Sequence, residues 1–285
     1  MTETTVPITR LRFELRAAVA AWKVAGARVA VVPTMGALHA GHLALVEAAK
    51  ADADRVIVTL FVNPRQFNNA ADLAAYPRTE AEDAEKLAPL AVDMLYVPDA
   101  EQIYPPGFAT TVSVAGVSDG LCGAFRPGHF DGVATVVTKL LTQTAADRAY
   151  FGEKDFQQIA VIREMVRQLR IPVEIIPCPI VRGEDGLALS SRNTLLDTDH
   201  RTAAPYIYKV LKAAVEKSHQ TTPDQLAAWV TAQVESNPLL KVIYFQVVDA
   251  ATMQQVRTWE ESPAIQGCIA VQAGDIRLID NIKLR

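Results

Sequence analysis

Two histidines three positions apart, His39 and His42, stand in the stretch PTMGALHAGH at residues 33–42. It follows the apolar run Arg28-Val-Ala-Val-Val32 and precedes Leu43-Ala-Leu-Val-Glu-Ala-Ala-Lys50, which is spaced like a helix. Three chemistries are open to it: a metal site, a structural corner braced by the imidazoles, or a cradle for phosphate. A metal needs a third ligand, and histidines sharing one helix usually bind from i and i+4. No third ligand stands nearby in the sequence. If His42 opens a helix, free backbone N–H groups and the helix dipole favour an anion there. Gly36 and Gly41 would let a phosphate approach the backbone closely. An imidazole donating to a phosphoryl oxygen would then offset charge that grows during transfer at an α-phosphate.

Further polar stretches offer chemistry of their own. Asn63-Pro-Arg-Gln-Phe67 and Gly152-Glu-Lys-Asp155 each follow an apolar run, and residues 181–193 read VRGEDGLALSSRN. Ser190, Ser191 and Arg192 join two hydroxyls to one guanidinium, a set suited to phosphate oxygens and equally to a helix cap. Lys154 and Asp155 read either as site residues or as an exposed ion pair of little energetic weight. Gln66 and Gln158 by themselves read as surface glutamines. The acidic run Glu80, Glu82, Asp83, Glu85 reads as a solvated helix face rather than a magnesium site. Met35 suits substrate contact or core filling, and Arg126 and His129 suit a substrate side or a dimer interface.

The elements that must position these residues follow from periodicity. Short runs rich in Val and Ile, at 28–32 and 54–62, have the character of buried parallel strands, and 94–97 and 148–151 resemble them. Helical patterns fall between and after them, at 43–50, 79–90, 130–145 and 155–169. Strand and helix in alternation predict an α/β fold with a doubly wound parallel sheet. Beyond residue 180 the pattern changes to helices at 198–217 and 223–236. Strands follow at 241–248, 267–272 and 276–282, with Ala273-Gly274-Asp275 as a hairpin turn. A smaller α+β domain is expected there, giving domains 1–180 and 181–285. Ligands of open α/β sheets sit beyond the carboxyl ends of the strands, where PTMGALHAGH and the stretches at 63–67 and 152–155 all fall.

Composition narrows the function classes. Of 285 residues, 50% are hydrophobic and 21% charged, enough for a large core and too apolar for disorder. A net charge of −4 argues against a surface that wraps nucleic acid. Cys122, Cys178 and Cys268 are odd in number and far apart, which suits a reducing compartment better than a disulfide framework. No apolar run approaches a membrane span, and MTETTVPITRLRFELR at the N-terminus lacks the apolar centre of a leader. A soluble, cytoplasmic protein with no nucleic-acid or membrane partner is expected.

A histidine loop after an early strand, paired with a late Ser-rich loop, resembles the nucleotidylyltransferase superfamily, which includes class I aminoacyl-tRNA synthetases. Within it, six stretches resemble the pantoate–β-alanine ligase family and occur in that family's order. They are PTMGALHAGH, FVNPRQF (61–67), YPRT (76–79), CGAFRPGHFDGVATVV (122–137), FGEKDFQQ (151–158) and DGLALSSRN (185–193). The resemblance thins after about residue 200.

The resemblance implies a Rossmann-like domain binding ATP and pantoate, followed by a C-terminal lid. It implies ATP-dependent ligation of D-pantoate to β-alanine through a pantoyl adenylate, with release of AMP and pyrophosphate. Mg²⁺ would accompany ATP with no protein ligand assigned, and the enzyme would be a homodimer. Catalysis would fall to His42, His39, Lys154 and Arg192. Met35, Gly36, Ala37, Leu38, His39, Ala40, Gly41 and His42 would line the phosphates. Gly152, Glu153, Lys154, Asp155 and Val181 would contact adenosine, and Leu189, Ser190, Ser191 and Arg192 would close over the triphosphate. Gln66 and Gln158, with Asn63 and Met35, would hold the substrate acids. Two positions depart from the family's habit: Leu189 stands where Met is common, and Ala40 where an acid is common. Neither removes a catalytic group. Another nucleotidylyltransferase, or a non-catalytic nucleotide binder on the same fold, is the rival reading.

Overall fold

The structure is a computed structural model that describes residues 6–68 and 70–285. The chain begins with β1 (Ile8–Thr9), α1 (Arg12–Val24), β2 (Val29–Thr34), α2 (Ala40–Asp52) and β3 (Arg55–Leu60). It continues through α3 (Ala70–Ala75), α4 (Glu80–Leu87), β4 (Met94–Tyr96), α5 (Ala100–Ile103) and α6 (Leu121–Phe125). Next come α7 (His129–Thr144), β5 (Arg148–Gly152), α8 (Phe156–Leu169) and β6 (Glu174–Cys178). The last part holds α9 (Thr198–Ala203), α10 (Tyr206–Ser218), α11 (Pro223–Glu235), β7 (Leu240–Asp249), β8 (Ile265–Ala273) and β9 (Ile276–Lys283).

Two compact units result. The first comprises Met1–Val114, Arg126–Glu153 and Val161–Pro179; the second comprises Ala115–Phe125, Lys154–Ala160 and Ile180–Arg285. The first unit is built on a six-stranded sheet in the order β1-β4-β3-β2-β5-β6, with every pairing parallel. Val29 to Val32 are 0% exposed, as a central parallel strand covered on both faces requires. Ala30 and Val32 share a core with Val56 and Val58 of β3, Val46 and Ala49 of α2, and Leu95 of β4. From β2 the chain winds outward to β3 on one side, while β5 pairs with the other. The topological switch point therefore lies between β2 and β5, and the histidine stretch leaves the sheet there.

The second unit is built on the antiparallel sheet β7-β8-β9. Its α10 and α11 cover one face, packing Ile207, Leu211, Leu226 and Val230 with Ile269 and Val271 of β8. The opposite face carries Val248 and Cys268, covered by Leu121 of α6 and by Phe156 and Ala160 of the first turns of α8. Gly274 turns β8 into β9 at φ +58°, where a β-carbon is disfavoured.

Several boundaries differ from the sequence reading. The strand expected over 54–62 stops at Leu60, and Asn63 then caps a short turn of 3₁₀ helix, Pro64–Gln66. The helix expected over 79–90 ends at Leu87, two residues before Pro89. The single helix expected over 198–217 is two, α9 and α10, broken at Ala204-Pro205 because Pro205 cannot donate into a continuing helix. All three cysteines are free thiols. Among the described residues, no helix is long and apolar enough to cross a membrane.

Candidate active site

The histidine stretch is shaped from both ends. Thr34, the last residue of β2, donates its hydroxyl to the Thr59 carbonyl at 2.7 Å and accepts from Gly36 N–H at 3.2 Å. Gly36 and Ala37 then bend through the left-handed region, at φ +83° and +52°. Ala37 N–H and Leu38 N–H donate to the two carboxylate oxygens of Asp83, at 2.9 and 2.7 Å. Asp83 is 1% exposed, so its expected place on a solvated acidic face is corrected. It turns inward on the same side of α4 as Leu87, four residues on, while Glu82 and Glu85 face solvent.

His39 is the N-cap of α2, and its Nδ1 accepts from Gly41 N–H at 3.1 Å. His42 returns the arrangement, its Nδ1 accepting from His39 N–H at 3.3 Å. The two rings lie 4.1 Å apart at 37°. His42 N–H itself donates to the His39 carbonyl at 2.8 Å. Of the amides expected to await an anion, those of Gly41 and His42 are thus engaged within the first turn of α2. An Nδ1 that accepts carries no proton, so each neutral ring holds its proton on Nε2. The corner reading is realised: each imidazole braces the turn, and the bracing fixes its tautomer. Among the described residues no group of three or more His, Cys, Asp or Glu is placed to hold a metal ion.

Beside this loop, Gln66 is locked by its neighbours. Its Nε2 donates to Met35 Sδ at 2.9 Å, and its Oε1 accepts from Asn63 Nδ2 at 3.1 Å. Asn63, 1% exposed, also donates to the Gly132 carbonyl at 3.0 Å and accepts from Arg65 N–H and the Tyr104 hydroxyl at 3.3 and 2.8 Å. With both its donors and both its acceptor positions used, Asn63 shapes this region by orienting Gln66. Burial pushes the Tyr104 phenol up to about 12, so it stays a donor. The Gln66 carbonyl accepts from Arg126 Nη2 at 3.0 Å and from His129 Nδ1 at 2.8 Å, which gives the two residues the sequence left open a shared partner within their own unit. His129 is consequently an Nδ1–H tautomer whose Nε2 accepts from Arg126 Nη1 at 3.2 Å. α7 approaches so closely that a β-carbon at Gly132 would lie 2.3 Å from the Arg65 carbonyl oxygen.

The second unit presents its own set. Lys154 and Asp155 occupy a turn of 3₁₀ helix, Glu153–Asp155, before α8. Asn281 of β9 donates to the Lys154 carbonyl at 3.1 Å, and Gln266 of β8 steadies Asn281 at 2.7 Å. Of the paired glutamines, Gln157 is buried and structural: it donates to the carbonyls of Val117 and Gly120 and accepts from Cys122 N–H. Gln158, the one expected to meet substrate, is partly buried one position further on. Val181 and Leu189 are joined by a backbone bond of 3.0 Å and an Arg182–Ala188 bridge, so 181–189 is a tight hairpin. Arg182 at its base makes a two-point ion pair with Asp280, at 2.6 and 2.9 Å, and stacks over Tyr208. Ser190 caps the turn Ser191–Leu195 by accepting from Arg192 N–H at 3.3 Å, the bland role the sequence allowed it. Asn193 ties that turn back to the Ala188 carbonyl at 3.0 Å.

Of the expected site residues, Met35 to His42, Asn63, Gln66, Gly152 and Glu153 lie in the first unit. Lys154, Asp155, Gln158, Val181 and Leu189 to Arg192 lie in the second. The structure brings Met35 to Gln66 and His39 to His42. Asp83, Lys86, Tyr104 and Gly132 were not foreseen; only the turn spacing of Asp83 with Leu87 signalled one of them.

A doubly wound parallel sheet, with a self-capped histidine pair leaving its switch point, defines a Rossmann-like protein whose candidate site lies at the carboxyl ends of the strands. The family model for pantoate-beta-alanine ligase matches residues 8–283, and the chain belongs to that family. It is 57% identical to a pantothenate synthetase of Chelativorans sp. (strain BNC1) over 97% of both chains. Against one from Roseobacter denitrificans it is 54% identical over 98% of both. The crystal structure of pantothenate synthetase from Thermus thermophilus superposes with a TM-score of 0.91 at 41% identity, covering 98% of this chain and 99% of that one. A pantoate-beta-alanine ligase from Francisella tularensis, solved with beta-gamma ATP and beta-alanine, gives a TM-score of 0.83 at 34% identity over 98% of both chains.

Proposed function

We propose that this protein ligates D-pantoate to β-alanine at the expense of ATP, through a pantoyl adenylate. A pantoate carboxylate oxygen attacks the α-phosphorus, and the bond to pyrophosphate breaks. The β-alanine amine then attacks the acyl carbon, AMP leaves with the electron pair of its bond, and the amine gives up a proton. The observation that carries this reading is the reciprocal cap of His39 and His42, in which both Nδ1 atoms accept and each neutral ring keeps its proton on Nε2. Such donors offset negative charge on phosphoryl oxygens without rearranging during the step.

The other roles are assigned residue by residue. Lys154 and Arg192 supply positive charge to the phosphates, Arg192 with Leu189, Ser190 and Ser191 over the triphosphate. Gly152, Glu153, Asp155 and Val181 contact the adenosine, with Asp155 suited to a ribose hydroxyl. Gln66 and Gln158 hold pantoate by amides that both donate and accept. Met35 and Asn63 support Gln66, an assignment favoured by the Met35 and Asn63 contacts described above. Mg²⁺ enters with ATP, since this ion keeps several waters and leans on phosphate oxygens. Both oxygens of Asp83 are already engaged by backbone amides, which favours a metal held chiefly by its nucleotide. A cytoplasmic homodimer completes the reading.

The deciding experiment is exchange of labelled pyrophosphate into ATP with Mg²⁺ present and β-alanine absent. Exchange that depends on D-pantoate is expected, and adding β-alanine should give pantothenate and AMP. A folded sample that binds ATP but shows no exchange would sink the adenylate route.

A further inference from the structure

We propose that Asp83 and Lys86, one turn apart on α4, are positioning residues that set the histidine loop in its working shape. The proposal rests on the ligase reading for the reaction it serves, but its geometry stands on this unit alone. Leu38, the residue before His39, is gripped at both of its backbone groups. Its N–H donates to Asp83 Oδ1 at 2.7 Å, and its carbonyl accepts from Lys86 Nζ at 2.9 Å. Ala37 N–H takes the second Asp83 oxygen at 2.9 Å, and the Thr79 hydroxyl donates to that same oxygen at 3.1 Å. Lys86 Nζ stands 3.9 Å from Asp83, so the carboxylate is buried with three donors and a nearby cation.

The loop needs an outside hold. Ala37 carries a β-carbon in the left-handed region, a conformation that L-residues adopt reluctantly. A buried carboxylate bonded by two amides compensates that bend. From Leu38 the chain passes directly into the His39 cap, so any rotation of the Leu38 peptide turns both imidazoles. Displacement of a positioned group by about 1 Å can cost on the order of 10²-fold in rate.

Two full-length variants test this. Asp83→Asn keeps one acceptor and sets an NH₂ against the other backbone N–H. Lys86→Met removes the donor to Leu38 from a side chain that is 40% exposed, so it leaves the fold intact even where Asp83→Asn does not. The first readout is the ring ¹⁵N spectrum of His39 and His42, which reports the Nε2–H tautomer in the wild type. Both variants should move these signals toward a tautomer mixture. The second is pantoate-dependent pyrophosphate exchange. Its kcat should fall about 10²-fold in Asp83→Asn and about tenfold in Lys86→Met, while the KM for β-alanine, read in the complete ligation reaction, stays within about twofold. Ring signals and kcat that stay put while the melting temperature drops would overturn the proposal, leaving α4 a purely structural support. A wild type without exchange whose ring signals still respond to both substitutions would reject the ligase reading and uphold the positioning.

Discussion

His42 combines a structural bond and a chemical one in a single ring, and the two can be separated. Replacing it with Ala removes the acceptor for His39 N–H together with the Nε2–H donor. Removing one charge-stabilising donor of this kind costs on the order of 10²–10³ in kcat. His42→Ala should therefore lose pantoate-dependent pyrophosphate exchange by about that factor, while equilibrium dialysis still detects ATP binding. Asn63 makes the contrasting case. Asn63→Ala leaves the part-buried Tyr104 hydroxyl without its acceptor, a loss of about 1 kcal/mol that urea unfolding would read. Gln66 would also lose its brace, so the KM for pantoate should rise more than that for ATP. The histidines were legible in the sequence because capping and donation are local to a few residues. Asp83 was not, since its partners lie 45 and 46 residues away and it sits in a run of similar acids. Arg126 and His129 were undecidable for the same reason: the carbonyl they hold is 60 and 63 residues distant.

α7 and the 3₁₀ turn at 64–66 meet backbone to backbone, and Gly132 is what permits it. A methyl at Gly132 would overlap the Arg65 carbonyl, and backbone cannot yield as a flexible side chain does. Gly132→Ala should destabilise the protein by about 1–3 kcal/mol and raise the KM for pantoate by displacing Gln66. Chemical denaturation followed by steady-state kinetics on the folded variant checks both effects. The interior strands were readable because burial on both faces leaves an unbroken Val and Ile run, as in Val29–Val32 and Arg55–Leu60. The outer elements were not read at all. α1 buries Leu15 and Val19 but leaves Phe13 68% and Val24 91% exposed, which blurs its apolar stripe. β6 carries Pro177 on an edge, where a missing N–H is tolerated but the sequence signal for a strand is lost. β1 is two residues long and has no periodicity to detect.

Several carboxylates spread over both units set the response of the entire chain to acid. Hydrogen bonds from Tyr150 and Arg148 hold the Asp52 carboxyl below its ordinary value. Burial pushes Asp147 and Asp249 up, yet Val29 N–H and Lys23 at the first, and Ser262 and Thr252 at the second, leave both lowered. Each of these groups binds protons less readily folded than unfolded, so its contribution is complete above an unfolded value of about 4. It is lost as pH falls through the lower folded value. The melting temperature should stay level from about pH 7 to about pH 5 and decline below about pH 4. Asp52→Asn should melt lower near neutrality and decline less steeply in acid; an equally steep decline would remove Asp52 from the cause.

The second unit has a further consequence for how the chain is made. Its sheet is covered on one face by Leu121, Phe156 and Ala160, yet their partner Cys268 lies in β8 and Val248 in β7. A ribosome delivers those apolar side chains long before the strands they cover exist. For that interval they have nothing of their own unit to cover, and the emerging chain carries a sticky intermediate surface. Growth from the N-terminus can complete the six-stranded sheet while the smaller unit still waits for its last hairpin. The final strands β8 and β9 thus act as a clasp on segments synthesised long before them, and a nascent chain stalled ahead of β8 is the form most exposed to chaperones and to aggregation.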